Sequence, residues 1–255
     1  MDLIKREQKL AVDVPAEFAD LFNIAGNMEG VVPRLPQIKI IHQGQLFEFS
    51  DGSKDGEFEG VILDQHPANA WWEQSATESG GSSVPDCFSM NGVTPYPQCE
   101  EGETNNKCCI NRQSDKCEDC PQNQYGSDTK TGKGKACKNM KRVMVLMEGS
   151  TLPRRLTVTP TSLKSFDNYM TQLVDRGLPY PAVVTSFFLE KKIAGTNTYS
   201  EIKFVFKRIL SKEELVIIGK LIRSNKDIAR GQEIVAEEYG SSNETKDTPE
   251  SDIPF

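Results

Sequence analysis

All seven cysteines of this 255-residue chain fall between positions 87 and 137. Cys117 and Cys120 make a C-x2-C turn, and Cys137 follows after sixteen intervening residues. Such a turn places two sulfurs on one ion, and a distant third thiolate suits tetrahedral zinc. A fourth ligand is then required. Cys87, which opens the irregular region, is the choice; neutral His66 is an outside alternative, and His42 reads as an ordinary strand side chain. Cys99, Cys108 and Cys109 lie in a hydrophilic insert between, any of which could replace Cys87. The N-terminus lacks the apolar core of an export signal, so crowded cysteines point to a metal before disulfides. The polar insert fits zinc better than an iron–sulfur cluster. Four thiolates close the coordination sphere, whereas catalytic zinc keeps an open position. Neither H-E-x-x-H nor H-x-E with P-C-x-x-C occurs, so a structural ion is expected and a zinc-dependent nucleic-acid enzyme is disfavoured.

Beside the cysteines lies a basic stretch. Between Asp128 and Lys164 there are nine Lys or Arg and two acids. Lys130, Lys133, Lys135, Lys138, Lys141, Arg142, Arg154 and Arg155 are the candidates for neutralising backbone phosphates, a contact that reads no sequence. The Gly-rich part, Lys130 to Lys138, lacks the G-x4-G-K-[ST] spacing of a nucleotide phosphate loop. Single-strand binding also requires flat side chains on which bases stack. Trp72 and Tyr125 are the favoured platforms, with Trp71, Tyr96, Tyr180, Phe187, Phe188 and Tyr199 also available. Of adjacent pairs such as Trp71–Trp72 and Phe187–Phe188, only one member can face inward from a strand.

The elements that must position these groups are mostly strands. Residues 14–28 predict a short helix, with Phe18, Leu21, Phe22 and Ile24 on one face. Ile38–Ile41 and Gln45–Phe49 predict paired strands, and Glu59–Leu63 a third. Residues 66–140 then lose periodicity, and so long a structureless loop needs something other than an apolar core to hold it. Val143–Met147 and Arg155–Thr159 predict two more strands. A helix over 161–176 carries Leu163, Phe166, Tyr169, Met170, Leu173 and Val174 on one face, with Gly177 at its C-cap. Two long strands, Ala182–Lys192 and Thr198–Ile209, precede a helix whose capping box begins at Ser211. This order predicts an α+β, mainly β chain: an OB-like barrel with a zinc-binding insertion, flanking helices and a disordered acidic tail.

The last residues, Asp252, Ile253, Pro254 and Phe255, close an acidic, low-complexity linker that begins near Gly240. Residues 237–255 hold six acids and one Lys, so −5 of the chain's −7 charge sits there and the remainder carries −2. The charge is segregated, and an acidic total does not argue against nucleic acid. A pocket with an apolar floor and a cationic lip could capture the Phe255 ring and carboxylate together. This ending resembles the C-terminal tip of bacterial single-stranded DNA-binding proteins, on which partner enzymes dock.

The body resembles phage and mobile-element proteins read as single-stranded DNA-binding proteins with a cysteine insertion. Carrying the resemblance are Glu59-Gly-Val-Ile-Leu-Asp with Pro67-Ala-Asn-Ala-Trp-Trp, and Cys117-Glu-Asp-Cys-Pro-Gln-Asn-Gln-Tyr-Gly-Ser. It continues in Gly132-Lys-Gly-Lys-Ala-Cys-Lys-Asn, Leu152-Pro-Arg-Arg-Leu, and Pro160-Thr-Ser-Leu-Lys with Tyr169, spanning about residues 35–210. The resemblance implies Cys87, Cys117, Cys120 and Cys137 as the ligand set. The chain departs from ordinary bacterial members, which are shorter and lack such cysteines.

Together these features predict an N-terminal helical segment at 1–34 and an OB-like domain at 35–223 with its zinc insertion near 84–140. A linker and tail at 224–255 complete the chain. The expected function is sequence-independent single-stranded DNA binding in replication and recombination, with replication or repair enzymes recruited by the tip. The competing expectation is an adaptor that copies the tip to capture host enzymes without binding DNA. No membrane span is predicted, and a cytoplasmic setting, bacterial or phage-infected, is expected.

Overall fold

Alternating apolar side chains over most of the chain build one curled sheet with helices against it. The computed structural model describes residues 35–42, 44–73, 84–101, 108–129, 132–150, 152–194 and 197–230. The helix expected over 14–28, the Lys130 side chain and the tail from 231 onward lie outside these residues. Strand (42%) outweighs helix (21%), so the fold is mainly β, and its sheet forms a curled half-barrel.

The strands are β1 (Gln37–Ile41), β2 (Leu46–Phe49), β3 (Lys54–Asp55), β4 (Glu57–Trp71), β5 (Cys87–Ser89), β6 (Lys138–Met147), β7 (Arg154–Val158), β8 (Val183–Ala194) and β9 (Asn197–Ile209). Helix α1 (Leu163–Asp175) lies between β7 and β8, and α2 (Lys212–Arg230) follows β9. The sheet runs β3-β2-β1-β7-β6-β4-β8-β9, with β5 added to the far end of β4. Neighbours are antiparallel except β1 and β7, which pair in parallel. The sheet curls far enough for its last strand to reach the end of β1. There the Ser200 N–H donates to His42 Nδ1 at 3.2 Å and the Ser200 hydroxyl to the His42 carbonyl at 3.4 Å. Burial lowers the pKa of His42, which favours the neutral ring that this acceptor role requires.

The concave face holds the main core, where Phe47, Phe58, Ile62, Val143, Val145, Leu156, Phe187 and Ile202 meet Phe166, Tyr169 and Leu173 of α1. Val174, expected on that face, is exposed while its neighbour Leu173 is buried, because it stands about 100° round the helix from Leu173, off the buried Phe166–Tyr169–Leu173 line. The helix ends as its glycine predicts. Gly177, at φ 66°, lets the Leu178 N–H reach the Leu173 carbonyl and its own N–H reach that of Val174. The capping box of α2 is also present, with Ser211 N–H to Glu214 Oε2 at 2.7 Å and Glu214 N–H to Ser211 Oγ at 3.3 Å. Its Ile218 packs on the convex face with Val61, Leu63, Met144 and Leu146. Strand alternation turns consecutive residues of β4 toward opposite cores, Ile62 to the first and Val61 and Leu63 to the second. The register with β6 shifts between Ile62 and Asp64. Gly60 admits no side chain, because a Cβ there would stand 2.5 Å from Val145 Cγ1 and 2.8 Å from the Leu146 carbonyl oxygen.

Strand β4 is far longer than the Glu59–Leu63 strand expected, and it carries order into the region expected to be irregular. Pro67 falls where β4 has β6 on one side and neither β8 nor β5 on the other. A residue without an N–H is tolerated at such an open edge. The far ends of β4 and β6 therefore project as a ribbon, and the cysteine lobe is mounted on it. Among the described residues, no helix is long and apolar enough to cross a membrane.

Candidate metal centre and nucleic-acid surface

Ribbon geometry places the first and last of the expected ligands. Cys87 stands opposite Trp71 in the β4–β5 pairing, while Ala70 stands opposite Lys138 in the β4–β6 pairing. Cys137, one position before Lys138, thus comes level with Trp71 from the other side. The C-x2-C turn is tied down between them by backbone bonds. The Cys117 N–H donates to the Val93 carbonyl at 2.8 Å, the Asn123 N–H to Cys120 at 3.0 Å, and the Cys137 N–H to Gln122 at 2.8 Å. Asn123 Nδ2 adds a bond to the Cys117 carbonyl at 2.7 Å. As a result Cys87, Cys117, Cys120 and Cys137 line one cavity of about 20 Å³, together with Trp71 and Asn123. That is room for about one water-sized group.

The chemistry of these sulfurs reflects their enclosure. Burial, reinforced by Cys120, Cys117 and Cys87, pushes the Cys137 thiol up to about 12. Burial also raises Cys120, whose sulfur receives the N–H groups of Gln122 and Asn123. Thiols held this way keep their protons until a cation replaces them. Four thiolates are a donor set that zinc prefers. Among the described residues, no three His, Cys, Asp or Glu side chains are arranged ready to hold a metal ion. The four sulfurs share a cavity without being drawn onto a common point.

The three remaining cysteines differ from expectation. Cys99 and Cys108 form a disulfide, and neither lines the cavity. Cys109, expected in a hydrophilic insert, is fully buried in a small core with Ala68, Ala70, Trp71, Phe88 and Met140. Its sulfur accepts the Phe88 N–H at 3.3 Å and is hydrogen-bonded to Cys87. Within this pair, the shared proton raises the Cys87 pKa and lowers that of Cys109. The vicinal Cys108–Cys109 step carried the signal, since neighbours on an extended chain point opposite ways. His66 does not line the cavity; it is buried on β4 across from Arg142, with Asp64 Oδ2 3.7 Å from its Nδ1.

Of the expected phosphate contacts, Arg142 and Arg155 are buried. They are 0% and 4% exposed, and their side chains do not reach the surface. The alternation Met140, Arg142, Met144, Leu146 placed Arg142 on an apolar face and could have revealed this. Lys141 lies over the Phe166 ring and pairs with Asp167 at 3.0 Å. Arg154 lies over Phe49 beside Asp51, opposite Val145, about 13 Å along β6 from Lys141. Lys138 is half-buried, its Nζ 3.4 Å from the Lys135 carbonyl. The basic stretch is therefore spread along the sheet.

Its distinct patch is on the lobe. Tyr125 is 84% exposed, and Lys135 Nζ sits 5.2 Å from its ring centroid while bonding Asn123 Oδ1 at 3.3 Å. Lys133 is exposed on the same loop. Trp72, the other expected platform, is half-buried at the margin of the lobe core, where Trp71 is buried outright. Asp252, Ile253, Pro254 and Phe255 lie outside the described residues. Compared with known proteins, the chain matches no family model, no curated protein and no solved structure.

Proposed function

We propose that this chain is a sequence-independent single-stranded DNA-binding protein of replication and recombination. In this reading the half-barrel is OB-like and the lobe is a zinc-clamped extension of its binding surface. The observation that carries the reading is Tyr125: a flat ring, 84% exposed, held beside the Lys135 cation on a loop tied to buried thiols. An exposed ring offers a base a stacking face, and the adjacent Lys133 and Lys135 offer a phosphate its counter-charge. Zinc, held by Cys87, Cys117, Cys120 and Cys137, would supply a cross-link where the lobe has little apolar core. The resemblance of the tail assigns partner recruitment to Asp252, Ile253, Pro254 and Phe255.

Fluorescence anisotropy with labelled oligo-dT tests this. Binding is expected to weaken steeply with salt, with each neutralised phosphate contributing about −0.7 to the logarithmic slope. Tyr125→Ala is expected to weaken it by roughly tenfold to a hundredfold, the value of about 1–3 kcal/mol per stacked base. Removing residues 248–255 should leave or raise the affinity. Absence of binding at low salt would overturn the DNA role and leave the adaptor reading, in which the tip alone acts.

A further inference from the structure

The lobe brings five free thiols together around a site that four would complete. The fifth, Cys109, does not line the cavity, yet it is hydrogen-bonded to Cys87, which does. Its sulfur lies 3.3 Å from the Phe88 nitrogen and 3.5 Å from the Phe88 carbonyl oxygen, against the backbone that immediately follows Cys87. Both cysteines belong to one buried cluster, with Trp71, Phe88 and Met140 around them. The same lobe already carries one disulfide, between Cys99 and Cys108.

We infer that Cys87 and Cys109 are a redox-responsive dithiol, which a hydroperoxide oxidises to a disulfide that withdraws Cys87 from the metal ligands. This rests on the metal reading above and names the regulation of that site. The Cys109 sulfur attacks the peroxide, the O–O bond breaks, and a sulfenic acid forms while water leaves. The Cys87 sulfur then attacks the Cys109 sulfur, the S–O bond breaks, and a second water departs. For hydrogen peroxide, two thiols lose two electrons and two protons, and the oxidant becomes two waters. With Cys87 engaged, three sulfurs remain for an ion that prefers four. Because Cys109 is 0% exposed, a peroxide reaches it only when the lobe opens. Bound metal therefore slows the oxidation that would expel it.

The test exposes the full chain, zinc-loaded or metal-stripped, to hydrogen peroxide. Zinc release is followed with a chromogenic chelator, and disulfides are mapped by mass spectrometry. The expected result is a Cys87–Cys109 linked peptide that forms at least tenfold faster in stripped protein and tracks zinc release in loaded protein. Cys109→Ser, which leaves the four cavity thiols intact, is expected to bind zinc and to release it at least tenfold more slowly. Zinc release from Cys109→Ser at the wild-type rate would overturn the inference, as would oxidation confined to Cys117, Cys120 and Cys137. A chain that binds no zinc yet forms the Cys87–Cys109 link would sink the metal reading and keep the dithiol. Zinc binding without that link would do the reverse.

Discussion

The half-barrel and the cysteine lobe share two strands but are held by different physics. In the half-barrel, phenylalanines and β-branched residues of seven strands and α1 interdigitate, and the buried Tyr169 hydroxyl pairs with that of Thr185 at 2.6 Å. In the lobe, the buried cluster is small and four of its cysteines line a cavity. Much of its remaining order comes from amides bonded to backbone carbonyls: Asn123 and Gln98 each donate to one and Gln124 to two. A net intramolecular hydrogen bond contributes only about 0.5–1.5 kcal/mol, whereas a fully buried Phe or Leu contributes about 1.5–3. A region without a large apolar core must find another source of stability, and a metal held by the cavity thiols is the one proposed above.

The largest effect expected is from Cys120→Ser, which removes one of the four cavity sulfurs. It is expected to abolish zinc binding and to raise protease cleavage between residues 84 and 137 at least tenfold, with far-UV dichroism nearly unchanged. If the half-barrel unfolded as well, the two regions would not be separable. Phe166→Ala should act in the opposite sense. This side chain is 0% exposed against Phe204, and its truncation is expected to cost about 3–5 kcal/mol of global stability in denaturant melts. Partial folding of the variant with unimpaired zinc stoichiometry would sharpen the division.

The smallest effect is a pH dependence confined to the lobe. In metal-free protein the folded Cys137 thiol sits near 12 against an ordinary value of 9.0. Its raised pKa means that the stabilisation is complete below about pH 9 and lost as pH rises toward 12, because the unfolded chain ionises first. Thermal melts with chelator from pH 7 to about pH 10.5 should therefore show falling stability. With zinc bound the sensitivity moves to acid, where protons compete for the sulfurs. Identical alkaline profiles for wild type and Cys137→Ala would remove Cys137 as the cause.

Periodicity made most of the half-barrel legible: β1, β2, β7–β9 and both helices lie within a few residues of their expected positions, because each carries one apolar face, whereas β6 begins at Lys138, well before the expected Val143. β4 was underestimated because periodicity fades from residue 66, and the Pro67 within it is acceptable only because of which neighbouring strands end beside it. Arg142 and Arg155 looked like surface charge because composition ignores the face of the strand on which a residue falls. The tight C-x2-C turn was legible from spacing alone, and the sequence also favoured Cys87 and Cys137. The burial of Cys109 and the pairing of Cys99 with Cys108 were not, since both depend on how the lobe folds back on β5. Tyr125, favoured as a platform in the polar insert, is exposed; its pairing with Lys135 was not readable.

The chain leaves the ribbon after Trp71 and returns at Lys138, and Ala70 and Lys138 are direct neighbours across the ladder. Exit and return are thus side by side, as in the two arms of a hairpin. The entropy of closing such an excursion grows only with the logarithm of its length. Insertions or deletions within it can be absorbed without shifting a single residue of the half-barrel. The strand register below the ribbon is indifferent to what is carried at its tip.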